Sequence, residues 1–325
     1  MIVRVRRAGL LTTVQDRGRW RYQAVGVSVA GPMDGYSHRL ANALIGNDEG
    51  LATLEVTLTG PELEFTDDRQ VAVAGAEFEM TVDGRTASPN AAIHVRAGDR
   101  LAFGRRIRGA RGYIAIEGGI DTPQILGSRA THLPSAMGGV EGRALKAGDV
   151  LQLGRPAEAG RYAGRYAGRY AGRYERSKSP PAAIALPDGR ATVRVLPGPQ
   201  LDRFAAGALD ALQSAPYRIG TDSNRMGYRL AGPRLEHANG ADIISDATPL
   251  GVLQVPASGQ PILLMADRQT TGGYAKIATV ISADISLAGQ LAPGDEIRFA
   301  VCSPAEARAA LVAQEQRLVA MAGRS

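Results

Sequence analysis

The sequence predicts a mainly β protein, two similar barrel-like units in tandem with a few short helices. Three observations carry this. Forty glycines and 18 prolines in 325 residues punctuate the chain too often for long helices and suit short strands joined by turns. Between those turns, apolar residues alternate with period two, the spacing of a half-buried strand. The chain also rhymes with itself. Gly31-Pro32 before a helix matches Gly198-Pro199 before a helix, LTGPELEF (58–65) matches LAGPRLEH (230–237), ARGYIAI (110–116) matches TGGYAKI (271–277), and LKAGDVLQLG (145–154) matches LAPGDEIRFA (291–300). Four matches in one order imply a duplication. Each copy holds seven or eight short strands, enough to close or nearly close a barrel.

The first unit spans 1–155. Ile2-Val-Arg-Val alternates and reads as an edge strand, and Gln15, Asp16 and Arg17 follow the next strand at a glycine turn. A local Asp–Arg pair there would contribute little if exposed. Asp34 is placed to cap a helix over Asp34–Ile45, with Leu40, Ala41, Leu44 and Ile45 on one face and Gly46-Asn47 as its stop. Asn42 lies on that helix, turned either to a site or to solvent. Strands follow at 51–58, at 71–82 before the hairpin turn Asp83-Gly84, and at 92–95, 100–103, 112–117 and 150–153.

Residues 156–190 form a linker or long loop. It contains AGRY four times over, too short a period for a repeat architecture. The second unit, 191–302, opens with a strand at 193–196 and a short helix over Arg203–Gln213. Ser223 to Leu230 sets Arg225 beside a glycine turn. A final helix fills most of 303–325, with Leu311, Val312, Leu318 and Val319 as a stripe packed on the body.

The densest chemistry lies at Ala266–Asp284. An apolar run ends in Asp267, Arg268, Gln269, Thr270, Thr271, Gly272 and Gly273, and Tyr274 and Lys276 lead into a second run. This reads as strand, turn, strand. Adjacent glycines with positive φ would let the backbone approach a ligand, and the hydroxyls and free N–H groups would suit a carboxylate or phosphate oxygen. A plain hairpin tip has a similar composition. Lys276 is one of only three lysines against a majority of arginines, which favours a compact cation at this place.

Composition excludes other classes. A single cysteine, Cys302, forms no intrachain disulfide, suits a reducing compartment and reads as a buried strand residue. No signal peptide and no run of about 20 apolar residues appears, so a cytoplasmic chain without a membrane span is expected. The net charge of +6 comes from scattered arginines rather than a basic strip, so no nucleic acid is expected. Four histidines lack metal-ligand spacing, so no metal is expected. Walker A, Rossmann, nucleophile-elbow and Met-Lys-Met biotin signatures are all missing.

VQDRGR (14–19), GPMD (31–34), LANALIGN (40–47), LEVTLTGP (54–61), NRMGYRL (224–230), QVPASGQPI (254–262) and DRQTTGGYAKIATVISAD (267–284) resemble the family of 5-oxoprolinase C subunits. That family is also labelled allophanate hydrolase subunit 2 or biotin-dependent carboxyltransferase, and is similar to part of the carboxyltransferase domain of urea carboxylase. The resemblance covers about Val3 to Val301. It implies two cyclophilin-like β-barrel domains and a partner, the B subunit (allophanate hydrolase subunit 1), with or without a further A subunit. It implies ATP-dependent opening of 5-oxoproline to glutamate by the complex, without saying which chain binds ATP. On this basis Asp267, Gln269, Thr270, Thr271, Tyr274 and Lys276 are candidate catalytic residues. Gln15, Asp16, Arg17, Asn42, Arg225, Gly272 and Gly273 are candidates for binding. In that reading Lys276 and Arg225 hold anionic groups, Asp267 is a base or an orienter, and the first unit adds its residues across a cleft. Two alternatives stay open: a biotin-dependent carboxyltransferase acting on urea or a related amide, and a regulatory partner of a kinase-inhibitor protein.

Overall fold

The computed structural model describes residues 1–156 and 185–322; the AGRY repeats lie outside them. The chain divides into two compact units. One comprises Met1–Arg19, Asp34–Leu186 and Ala313–Ser325, the other Trp20–Met33 and Pro187–Val312.

In the first unit, nine strands make one curled sheet: β1 (Ile2–Arg7), β2 (Leu11–Gln15), β3 (Thr53–Thr57), β4 (Glu62–Phe65), β5 (Arg69–Val82), β6 (Arg85–Thr86), β7 (Ala92–Val95), β8 (Arg100–Ile116) and β9 (Val150–Gln152). The order β2-β3-β8-β4-β1-β9 is joined by β5, which pairs with β6, β7 and β8. The long strand β8 gives its first part to β4 (Leu63↔Leu101) and its last part to β3 (Leu54↔Ile114), while β5 runs along its other edge. Sharing one strand among three partners curls the sheet, because successive strands twist in a fixed hand. Val3, Leu54, Leu63, Phe65, Leu101 and Ile114 fill its concave side. Burying each contributes roughly 1.5–3 kcal/mol.

The second unit is a closed barrel in the order β10-β17-β14-β15-β12-β11-β18. Its strands are β10 (Arg190–Pro197), β11 (Tyr217–Ile219), β12 (Gly227–Ala231), β14 (Val252–Gln254), β15 (Ile262–Leu264), β17 (Lys276–Val280) and β18 (Glu296–Val301). Two further strands, β13 (Asp242–Ala247) and β16 (Thr271–Tyr274), pair only with each other as an antiparallel ribbon. Closure leaves the barrel no free edge. Its interior holds Val193, Tyr217, Leu253, Leu263, Ile277, Ile297 and Phe299.

The repeated motifs serve the same purposes in both units. A Cβ on Gly60 would run into the Phe103 ring, and one on Gly232 would lie 2.6 Å from the Tyr217 ring. Each glycine therefore makes room for an aromatic ring. Leu63 and Leu235, three residues on, are both fully buried. Gly148 and Gly294 take φ of 92° and 95°. The aspartate after each, Asp149 and Asp295, accepts a backbone N–H three residues upstream at 2.8 Å.

Asp34 caps α1 (Gly35–Leu44) as expected, accepting from the Ser37 N–H at 2.9 Å. Asp83 and Gly84, with φ of 50° and 77°, turn β5 into β6. Several expectations change. The first strand is not an edge, because β9 pairs with its outer side. The helix expected from Arg203 begins later, as α2 (Ala208–Ser214), because Gly207 with φ of 85° breaks the backbone ahead of it. A three-residue 3-10 turn, Leu201–Arg203, stands in its place. Cys302 lies just past β18 and is half-buried. After α3 (Ile285–Gly289) and β18 comes α4 (Pro304–Ala322). Its apolar stripe is only partly covered, with Leu318 buried but Leu311 and Val312 exposed. Among the described residues, no helix is long and apolar enough to cross a membrane.

Candidate functional site

The stretch Asp267–Lys276 is not a hairpin. β15 before it and β17 after it both pair with β14, which lies between them. The polar residues instead leave the barrel, run along β13 as strand β16, and return at Lys276. Gly272 and Gly273 are strand residues without positive φ. Gly272 is needed for a different reason: a Cβ there would lie 2.5 Å from Gln254 Nε2. Gln254 is buried, and its Nε2 has no hydrogen-bond partner.

The β13–β16 ribbon borders an open groove of about 660 Å³ lined by Gln200, Arg203, Asp242, Ile243, Ile244, Ser245 and Asp246. That volume suits a small molecule. Lys276 does not line the groove but reaches it through Asp246. Its side chain is only 3% exposed, and its ammonium donates to Asp246 and, at 2.9 Å, to the Ala247 carbonyl. Asp246 is 52% exposed. Lys276 above all, then the Ala247 N–H, holds its carboxyl below the usual range. The groove thus presents an ionised carboxylate fixed from behind by a buried cation. Gln200 Oε1 accepts from the Lys276 N–H at 3.3 Å, which joins the 3-10 turn to the barrel. Ile243 and Ile244 add apolar surface beside these polar groups.

A second network lies deeper. Asp267 accepts from Arg225 Nε at 3.0 Å and Nη2 at 2.9 Å, and Nη2 also donates to the Gly31 carbonyl at 2.6 Å. Both partners are buried. This fork-to-fork pairing uses both oxygens of Asp267, which makes it an orienting partner of Arg225. Arg268 donates to the Thr248 and Met265 carbonyls, and burial lowers its pKa to about 10. Thr248 in turn bonds the Gln269 carbonyl through its hydroxyl and the Thr270 carbonyl through its N–H. Gln269 and Thr271 have exposed side chains, and Tyr274 is 40% exposed.

The fold therefore sets Thr271, Gly272, Gly273 and Tyr274 on β16 of the ribbon and Lys276 on β17, with its ammonium on Asp246, and keeps Arg225 and Asp267 apart as a pair; the groove itself is lined by other residues. Lys276 and Arg225, which the sequence set against an outside anion, each face an internal carboxylate. In the first unit, Gln15 Nε2 bonds Thr13 and the Thr131 carbonyl, both at 3.0 Å. Asp16 does not pair with Arg17. It accepts from the Gly18 and Arg129 N–H groups and the Ser128 hydroxyl, and Arg17 pairs with Glu49. Asn42 faces neither site nor solvent: it is buried, bonded to the Leu51 carbonyl at 2.8 Å and to Asn47 at 3.0 Å. Sequence reasoning passed over Gln200, Arg203, Ser245 and Asp246. Arg203 read as the start of a helix, and the other three lay in segments read as strands and turns; the 3-10 turn brings Gln200 to Lys276, and β13 brings Asp246. Among the described residues, no group of three His, Cys, Asp or Glu could hold a metal.

Residues 25–301 match the model of the carboxyltransferase domain, subdomain A and B. The chain is 37% identical over 323 residues to the 5-oxoprolinase C subunit of Escherichia coli, covering 99% of this chain and 98% of that one. It is 38% identical over 295 residues to the 5-oxoprolinase C subunit of Haemophilus influenzae, covering 91% and 89%. Among solved structures, it is similar to the urea amidolyase of K. lactis, with a TM-score of 0.86 and 31% identity over 98% of this chain. It spans only 20% of that larger protein.

Proposed function

The chain belongs to the carboxyltransferase domain family with subdomains A and B, and from that premise we propose that it is the C subunit of an ATP-dependent 5-oxoprolinase, which opens 5-oxoproline to glutamate. One observation carries the reading: the match to the 5-oxoprolinase C subunit of Escherichia coli runs over nearly the whole of that protein. The likeness to urea amidolyase covers a fifth of a larger machine, so the first relative is the better guide to what a chain of this kind does. A B subunit, with or without an A subunit, completes the complex, and this chain alone is inactive.

The groove supplies what a lactam needs to be held. Asp246 accepts the ring N–H, Ser245 and Gln200 offer donors to the carbonyl, and Ile243 and Ile244 take the ring methylenes. Lys276 keeps Asp246 ionised and fixed. An amide is a poor electrophile, and ATP supplies the phosphoryl group that activates its oxygen. Among the described residues, two helices reach eight residues, and the N-termini of these longer helices do not fit the phosphates of ATP. The N-terminus of α1 already carries Asp34, and that of α4 carries Glu306 bonded to the Ser303 N–H. A carboxylate in each place repels a triphosphate. This favours a partner chain as the one that binds ATP.

The resemblance to urea amidolyase favours a second reading, a carboxyltransferase component acting on urea. Biotin would supply the carboxyl group there, and Arg203 is the groove residue that fits such an anion. Purification with the partner chains, then ATP hydrolysis measured with 5-oxoproline, urea and allophanate in turn, separates the two. Stimulation by 5-oxoproline alone supports the first. Turnover of urea that requires carboxybiotin replaces it with the second.

A further inference from the structure

We propose that Arg203 is the carboxylate subsite of the groove, so that the site selects an anionic lactam over a neutral amide; this rests on the groove being the amide-binding site. Arg203 closes the 3-10 turn Leu201–Arg203 and lines the groove beside β13. Its charge is unmatched. Three other cations of this unit face carboxylates: Lys276 faces Asp246, Arg225 faces Asp267, and Arg194 faces Asp284, whereas the buried Arg268 donates to carbonyls and does not line the groove. Arg203 has no carboxylate within ion-pair distance among the described residues. Its Nη2 donates to the Asp242 carbonyl at 3.0 Å, and its Nε is buried without a partner.

The Asp242 carbonyl steadies one corner of the guanidinium, and the wall of the groove removes the Nε from water. A planar fork with unspent donors and no counter-ion is built to receive a carboxylate. The neighbouring Asp246 does not compete for it, because Lys276 already holds that carboxylate. The groove then offers a cation for the ring carboxylate and an anion for the ring N–H, with Ile243 and Ile244 beside them. 5-Oxoproline carries all three features. Urea has the N–H groups but neither the carboxylate nor the ring.

The test uses the reconstituted complex with ATP, comparing 5-oxoproline with its neutral carboxamide. Arg203→Gln should raise KM for 5-oxoproline by about 10- to 100-fold, the range for losing a charge-assisted hydrogen bond, with a much smaller change in kcat. It should leave KM for the carboxamide where it was. Arg203→Lys keeps the charge without the fork and should fall between. Melting temperature and co-elution with the partner chains establish that the variants fold and assemble. Wild-type turnover of 5-oxoproline with an unchanged KM in both variants overturns the subsite while leaving the proposed function standing. Equal losses on the two substrates also overturn it, since they mark a structural role. A wild-type complex that neither binds nor turns over 5-oxoproline defeats both.

Discussion

Lys276 and Asp246 form a pair of unequal exposure: the ammonium is buried, the carboxylate half open to the groove. The two ends therefore respond differently to loss of the other. Lys276→Met frees a carboxylate that water can solvate, so stability falls little. Asp246→Ala strands an ammonium that keeps only the Ala247 carbonyl, and a buried charge without its partner is costly. Chemical denaturation should show the larger midpoint loss for Asp246→Ala, and Lys276→Met/Asp246→Ala should recover part of it. Turnover by the complex should instead fall about 100-fold in either single variant, the scale of a misplaced site group. Full activity in Lys276→Met would remove the groove from the mechanism.

Arg225 and Asp267 lie on the opposite side of that contrast, since both are buried. Arg225→Met should destabilise the second unit by about 3–5 kcal/mol, because Asp267 is left uncompensated. Arg225→Met/Asp267→Leu should be closer to the wild type than either single change. Urea unfolding curves of the four proteins give the coupling directly. Additive losses would mean that the pair does not act as one unit.

Much of this architecture was legible in the chain, for a physical reason. The motifs LxGPxLE and GD recur because both sheets need a glycine under an aromatic ring and a left-handed glycine before a capping aspartate. Gly60 with Gly232 and Gly148 with Gly294 meet those needs. Local constraints of this kind show in local sequence. The groove was not legible, because it depends on pairing between β13 and β16, some 30 residues apart, with register set by Asp246↔Gly272. Asp246 lies in a segment whose side chains are almost all exposed, so nothing in its own neighbourhood marks it. Asn42 and Gln15 are the converse case. They are polar residues of the recognised motifs, yet the fold spends them on buried backbone carbonyls.

His38 gives the first unit an acid-sensitive point. It is fully buried on α1, with Nδ1 2.9 Å from the Thr53 hydroxyl. Burial lowers its pKa from 6.5 to about 4, against opposing pulls from Asp16 and Glu55. In the unfolded chain it takes a proton near pH 6.5, while in the fold it stays neutral. The stabilisation is therefore complete above pH 6.5 and is lost as pH falls towards 4. That gap is worth roughly 3 kcal/mol. Stability of the wild type should drop between pH 6.5 and about 5.5, above the range where most carboxylates titrate, and His38→Gln should flatten that slope whatever its absolute stability. Parallel slopes in the two proteins would show that another group is responsible.

Gly272 and Gly273 are adjacent in β16, yet they should answer differently to the same methyl group. A Cβ on Gly273 meets nothing closer than 3.6 Å, the Ile243 carbonyl oxygen. It requires no positive φ, and alanine loses less backbone freedom than glycine on folding. Gly273→Ala should therefore be neutral or slightly stabilising. A Cβ on Gly272 lies 2.5 Å from Gln254 Nε2 and 3.1 Å from Thr248 Cγ2. Gln254 is enclosed on β14, so the amide cannot swing away freely, and overpacking of this kind costs about 1–3 kcal/mol. Because the strain sits where the ribbon meets the barrel, Gly272→Ala should also shift β13 and weaken turnover. Gln254→Ala removes the clashing amide, and Gly272→Ala/Gln254→Ala should restore the melting temperature lost in Gly272→Ala. If the second change gives no recovery, the close approach of Gln254 is not what the glycine is there to permit.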